Sequence, residues 1–158
     1  MGYTTEFRGK LNLNKELDAD TFAIIKGLNE TRRMKRKVDA KYGIEGEFYF
    51  EGSGYCGQGD EPNIINHNEP PKTQPGLWCH WMSTPDKKAI EWDGGEKFYD
   101  YVEWLEYLIE RVLGPKGYTL TGKLKFQGEE MDDRGLIVVV DNKIQVKKKK
   151  KKNKRGIV

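Results

Sequence analysis

Three carboxylates stand close together in the segment IEWDGGE: Glu91, Asp93 and Glu96. Glu91 and Asp93 are two residues apart, so on a strand they share a face. Glu96 follows directly after Gly94-Gly95. Close carboxylates can bind Mg²⁺ or divide acid and base roles between them, which makes this the candidate acidic site of an enzyme. The plainer reading has Asp93 capping the next helix, Glu96 complementing its dipole, and Glu91 on a solvated sheet face. The sequence favours the plainer reading.

The other residues capable of chemistry are Cys56, His67, Cys79 and His80. Adjacent Cys79 and His80 point to opposite faces of a strand and cannot reach one ion or form one nucleophilic pair. No C-x-x-C or H-x-x-x-H spacing is present, so neither a metal nor another cofactor is expected. Cys56 with His67 is a conceivable pair, whereas Cys79 reads as a core residue beside Leu77 and Trp81. Gly52-Ser53-Gly54-Tyr55-Cys56-Gly57 matches G-x-G-x-x-G after an expected strand. A dinucleotide site needs a helix to follow, and QGDEPNIINHNEPP is loop chemistry throughout. The stretch is therefore read as a loop that could line a site.

Trp78, Trp81, Trp92 and Trp104 gather with Tyr99, Tyr101 and Tyr107. Such rings fill small cores, or stack ligands where they are left on an uncovered sheet face. Together with the loop they define a candidate ligand or partner surface of Tyr55, His67, Trp78, His80 and Trp92.

The charge pattern is divided. The 158 residues contain 28 Lys+Arg and 25 Asp+Glu, a net of +3, yet residues 147–155 (KKKKKKNKR) alone hold eight positive charges. The remaining body has a net charge of −5. A run of like charge repels itself, so 147–158 is expected to be a disordered tail following one acidic domain at 1–146. Phosphate is its natural counterpart, with salt-sensitive and sequence-blind affinity. The candidate nucleic-acid contacts are Lys147, Lys148, Lys149, Lys150, Lys151, Lys152, Lys154 and Arg155. Arg32, Arg33 and Lys35, from a basic cluster at the end of the first expected helix, extend that footprint. Nuclear import or solubility are alternative uses of the tail, and no membrane partner is expected.

The elements that must position these residues follow from periodicity and caps. Phe7, Leu11 and Leu13 alternate with polar residues as in a half-buried strand. Asp18 or Asp20 can cap a helix with Phe22, Ile25 and Leu28 on one face, running into Arg32–Lys37. A strand is expected at Glu47–Glu51, a long loop at 52–76, and a hairpin from Leu77–Met82 and Ala89–Asp93 around a turn at Thr84–Lys88. The stripe Phe98, Tyr101, Val102, Leu105, Leu108, Ile109 and Val112 predicts a helix over Glu96–Leu113, stopped by Gly114-Pro115. Thr119–Gln127, Leu136–Val140 and Lys143–Lys147 read as strands, the last two joined by an Asp141-Asn142 turn. The order β-α-β-β-β-α-β-β-β predicts an α+β fold, a mostly antiparallel sheet with two helices on one face. No apolar run approaches the roughly 18 residues of a membrane span. The first residues lack a secretory apolar region, and Glu6 stands where a myristoylation motif needs Ser or Thr. A cytoplasmic location is expected, or a nuclear or virion one if the source is a eukaryotic virus.

The segments GYTTEF, ETRRMKR, IEGEF, TQPGLWCHW, IEWDGGEKFYDYVEWLEYLIERVLGPKGY and DDRGLIVV resemble a family of small uncharacterised proteins in bacteria, phages and large DNA viruses. The resemblance covers nearly all of 1–146 and implies a viral, phage or mobile-element origin, with no activity or cofactor to carry over. His80 stands where glutamine is more usual in that pattern, and the lysine tail is an addition to it. The expectation is a non-enzymatic binding protein whose aromatic-rich domain holds a protein or small ligand and whose tail associates with nucleic acid. The alternatives are an enzyme with an acidic site at Glu91, Asp93 and Glu96 under the loop, or a virion or assembly component.

Overall fold

The computed structural model describes residues 2–50 and 61–148. Its centre is a six-stranded sheet in the order β4-β5-β1-β6-β7-β8, antiparallel at every described pairing. The strands are β1 (Glu6–Leu13), β4 (Trp81–Ser83), β5 (Ala89–Trp92), β6 (Leu120–Gln127), β7 (Arg134–Val140) and β8 (Lys143–Lys148). Two short strands, β2 (Lys35–Arg36) and β3 (Ile64–Asn66), form a separate ladder. Two helices, α1 (Ala19–Glu30) and α2 (Tyr101–Tyr107), complete the α+β fold.

The alternation read in the sequence decides which sheet face is covered. Phe7, Leu11, Leu120, Leu124, Phe126, Ile137 and Val139 are buried together with Ile25 and Leu28 of α1 and Trp104, Leu105 and Leu108 of the second helical segment. Both helices therefore lie on one face of the sheet. Phe7 is the hub, its ring meeting those of Trp81, Trp92, Phe98 and Tyr101 edge-on at 4.9–6.0 Å between centroids. Edge-to-face contacts add to area burial because the positive ring edge meets a negative face. At Gly9 the backbone has φ +106°, and a Cβ there would stand 2.6 Å from the Lys123 carbonyl oxygen, so β1 and β6 approach more closely than a side chain allows.

Asp18 caps α1 as expected, accepting from the Thr21 N–H at 2.7 Å. The helix ends at Glu30 rather than running through the basic cluster, because Thr31 turns to extended backbone (φ −122°, ψ 144°). α2 begins later than its apolar stripe suggested. Lys97 and Asp100 both take left-handed backbone at φ 58°, which an α-helix excludes, so residues 96–100 form an irregular lead-in. Beyond Tyr107 the winding widens to a π-type segment over Leu108–Leu113, closed by the Gly114 N–H on the Ile109 carbonyl. Pro115, just beyond, has no N–H to continue the ladder.

The strand expected at Glu47–Glu51 is not formed over its described residues. Tight turns at Ala40–Tyr42 and Ile44–Gly46 lead into it, and Phe48 and Tyr49 bond back to Tyr42 and Gly46. The described part of the 52–76 loop is also more ordered in design than expected, since it contributes β3. The closing hairpin is as read: Asp141 and Asn142 have φ 47° and 69°, the paired positive values of a type I′ turn. β8 runs through Lys147 and Lys148, so these two lysines belong to the sheet.

Candidate functional site

The three carboxylates do not form one site. Glu91 alternates with core-facing Ile90 and Trp92 and pairs with Met82, which places it on the uncovered sheet face. Asp93 does not cap α2. Its carboxylate instead accepts from Asn29 at 2.8 Å and the Gly95 N–H at 2.7 Å, and holds His80 Nδ1 at 3.0–3.1 Å. Burial pushes the Asp93 carboxyl up, but His80, Gly95 and Asn29 outweigh it and hold the group below its ordinary range. The His80 ring, also edge-on to Phe98 at 5.0 Å, is fixed with Nε2 as its remaining nitrogen. The helix cap position is taken by Asp100.

Glu96 comes together with His80 and Trp78 in a cavity of about 570 Å³, lined also by Gly76, Leu77, Lys97, Tyr99 and Asp100. Of the described residues of the expected aromatic surface, Trp78 and His80 are here and His67 and Trp92 are not. Trp92 is half-buried against Phe7 and donates its indole N–H to the Gly95 carbonyl at 3.2 Å. His67 is exposed just after β3 and does not line the cavity. Tyr55, Cys56 and the G-x-G-x-x-G stretch lie outside the described residues. Cys79 is fully buried, and burial pushes its thiol up to about 12, so it supplies no nucleophile. Among the described residues no three His, Cys, Asp or Glu side chains converge as a metal-binding group.

The basic cluster after α1 is not a solvated footprint. Arg33 is 1% exposed, its guanidinium caged by the carbonyls of Gly46, Glu47 and Tyr49 and by Gln74 and Thr31. Burial lowers it to about 10, still charged at neutral pH. Arg36 pairs with Glu61 at 2.6 Å, Lys35 with Glu69 at 3.3 Å, and Arg32 lies over the Trp78 ring and donates to the His67 carbonyl. Each has an internal partner because the chain turns inward at Thr31. Arg33 is thereby removed from any surface role.

Sequence reasoning missed the polar centre beside this cage. Glu47 is fully buried and accepts from Arg111, from the Tyr107 hydroxyl at 2.8 Å and from Thr73 at 2.9 Å. Burial raises the carboxyl, but Arg111, the Ile44 N–H, Tyr107 and Thr73 bring it below its ordinary 4.5 overall. Tyr107 is pushed up by burial and by Glu47. A Glu inside the aromatic string EFYF was the only signal.

The uncovered sheet face was also missed. Strand register sets Arg8 opposite Lys125 and Lys10 opposite Lys123. Lys125 lies opposite Leu136, and Leu136 opposite Lys147. Arg134 and Lys143 complete a basic face that carries only Glu6 and Glu91 as described acids, with Leu136, Val138 and Val140 between. Among the described residues no aromatic ring lies on this face: Trp81, Trp92, Trp104, Tyr101 and Tyr107 pack with the core, and Trp78 and Tyr99 line the cavity at the lead-in to α2. A shallow groove of about 540 Å³ crosses this face, lined by Glu6, Arg8, Lys125, Gln127, Arg134, Leu136 and Lys147 among others. Arg134 Nε is buried without a hydrogen-bond partner in it.

Comparison with protein-family models, with curated proteins and with solved structures returned no match. Among the described residues no helix is long and apolar enough to cross a membrane.

Proposed function

We propose that this is a non-enzymatic nucleic-acid-associated binding protein, of viral, phage or mobile-element origin. In this reading the phosphate backbone lies along the open sheet face and is held further by the lysines that follow β8. The supporting observation is the like-charge register Arg8 opposite Lys125 and Lys10 opposite Lys123. Directly opposed like charges destabilise a strand pair, and a phosphate chain bound across them turns that repulsion into attraction. Lys147 lies on the same face, and seven of the residues 148–155 are basic in the sequence. Among the described residues no aromatic ring on this face offers bases a surface to stack on, so in this reading the contact reads backbone rather than sequence. Acids away from this face include Glu103, Glu106 and Glu110, exposed along the second helical segment.

The test is binding of a fluorescent DNA duplex across a salt series. It compares the natural chain, Lys123→Gln/Lys125→Gln, and a full-length variant with every Lys and Arg of 149–155 replaced by Gln. The log–log slope should become shallower by about 2 in the sheet variant, at roughly 0.9 per lost contact, and by more in the tail variant. Equal slopes for all three proteins would overturn the proposal.

A further inference from the structure

Arg33 and Arg36 are taken out of water and each is paired, with backbone carbonyls in one case and Glu61 in the other. Arg134 is different. It is half-buried and lines the groove on the open sheet face, where its Nε is buried with no hydrogen-bond partner. Its two terminal nitrogens also have no partner among the described residues, but they are not buried. Donors removed from water are almost always paired, so a planar fork left free in this way calls for an acceptor brought by a ligand.

Strand register sets two more cations around it. Lys125 and Lys147 stand directly opposite Leu136 on either side, with Cα atoms about 5 Å from its own. Arg134 is two residues from Leu136 along β7, about 7 Å away on the same face. Three cations thus surround one apolar residue, and among the described residues none of them has an ion-pair partner. Leu136 belongs to the lining of the groove, whose volume is about 540 Å³. Lys148 also lines it but is paired with Asp133 at 3.2 Å. Glu6 and Arg8 lie together on β1, separated from Arg134 and Leu136 by Gln127 and Lys125 of β6, so the Glu6 charge falls nearest Arg8. Like charges gathered this closely repel one another, and the single charge of a phosphodiester compensates one of the three. A phosphate monoester carries about −1.5 to −2 charge at pH 7 and three strong acceptor oxygens.

We propose that this groove seats the terminal phosphate monoester of a nucleic-acid strand, with the Arg134 fork on two of its oxygens and Lys125 and Lys147 on either side. The inference rests on the reading of the sheet face as a nucleic-acid surface and adds that the face prefers a strand end. Lys10 and Lys123, opposed one row further along the strands, then meet the diesters that follow.

The test compares two fluorescent DNA duplexes of about 10 base pairs, one helical turn, identical except for phosphate or hydroxyl at every strand end. Bound by the full-length chain, the phosphorylated duplex should be held about tenfold more tightly, the effect of one charge-assisted hydrogen bond. Arg134→Gln should bring that ratio close to one. Lys147→Gln, on the edge strand, should lower the ratio and serves if the first variant does not fold. Lys10→Gln, outside the groove, should weaken both duplexes alike and keep the ratio. Deoxyadenosine 5′-monophosphate is the third probe and should bind far more weakly than the phosphorylated duplex. Equal binding of the two duplexes would overturn the inference and leave the sheet-face reading in place, whereas binding of neither would remove both. A ratio unchanged in both groove variants would also overturn it, and a mononucleotide held as tightly as the phosphorylated duplex would make the groove a small-molecule site instead.

Discussion

Arg111 reaches back 64 positions to pair with the fully buried carboxylate of Glu47. The contact fastens the irregular 40–50 segment to the π-type continuation of α2. Tyr107, Thr73 and Gln74 close around the same carboxylate or its backbone, so no lone pair there need go unmet. A charge buried in this way is costly to strand.

Glu47→Gln should therefore lower stability by about 3 kcal/mol, the low end for breaking a buried pair, because the Arg111 side chain stays partly exposed and can rehydrate. Urea unfolding with an unchanged slope against denaturant would measure it. A loss under about 0.5 kcal/mol, typical of exposed pairs, would show that the pair is not what fastens the segment.

Acid should weaken the fold through Glu47 and Asp93. Both carboxyls are held below their ordinary values of 4.5 and 3.8 in the folded protein. The unfolded chain therefore takes up protons first as pH falls. The stability they contribute is complete above about pH 5 and is lost below it, through the lower folded values. Urea midpoints between pH 6 and pH 3 should fall, and less steeply in Glu47→Gln. An identical slope in the variant would remove Glu47 from the account.

Cys79 should resist alkylation in the native state. Its thiol is fully buried and raised to about 12, so almost no thiolate exists at pH 8. Mass spectrometry after a pulse of iodoacetamide should find Cys79 unmodified until denaturant is added. Modification within the native pulse would mean that the region around β4 opens readily.

Gly9→Ala should destabilise by about 1–3 kcal/mol, the range for holding a residue with a Cβ in disfavoured backbone. Here φ is +106° and the new Cβ would press on the Lys123 carbonyl. A thermal melt followed by circular dichroism would show it, and an unchanged midpoint would mean that β1 and β6 separate easily.

The elements built from local rules were legible. The pair Asp18 and Asp20 announced α1, Asp141-Asn142 announced the β7–β8 turn, and the alternation of Phe7, Leu11 and Leu13 in β1 separated the core face from the open one. The start of α2 was not legible, because the apolar stripe continues through Phe98 while Lys97 and Asp100 leave helical backbone for reasons no periodicity records. Arg33 was misread for a related cause. A basic string after a helix looks solvated, and its carbonyl cage comes from residues 46, 47 and 49, whose geometry exists only after folding. The Arg8–Lys125 and Lys10–Lys123 rows were hidden because each lysine looks unremarkable in its own strand. Only the register collects them. Trp104 belonged to an aromatic set that could fill the core or stack a ligand, and its complete burial is decided only by the fold.

β8 also ends the sheet, with no further strand beside it among the described residues. Such an edge offers unpaired backbone groups to any other extended chain, which is how folded proteins begin to aggregate. Here the edge strand carries Lys143, Lys147 and Lys148 in six residues. A second copy approaching along this edge would bring lysine against lysine, so the strand that leads into the basic tail opposes pairing of two molecules through β8.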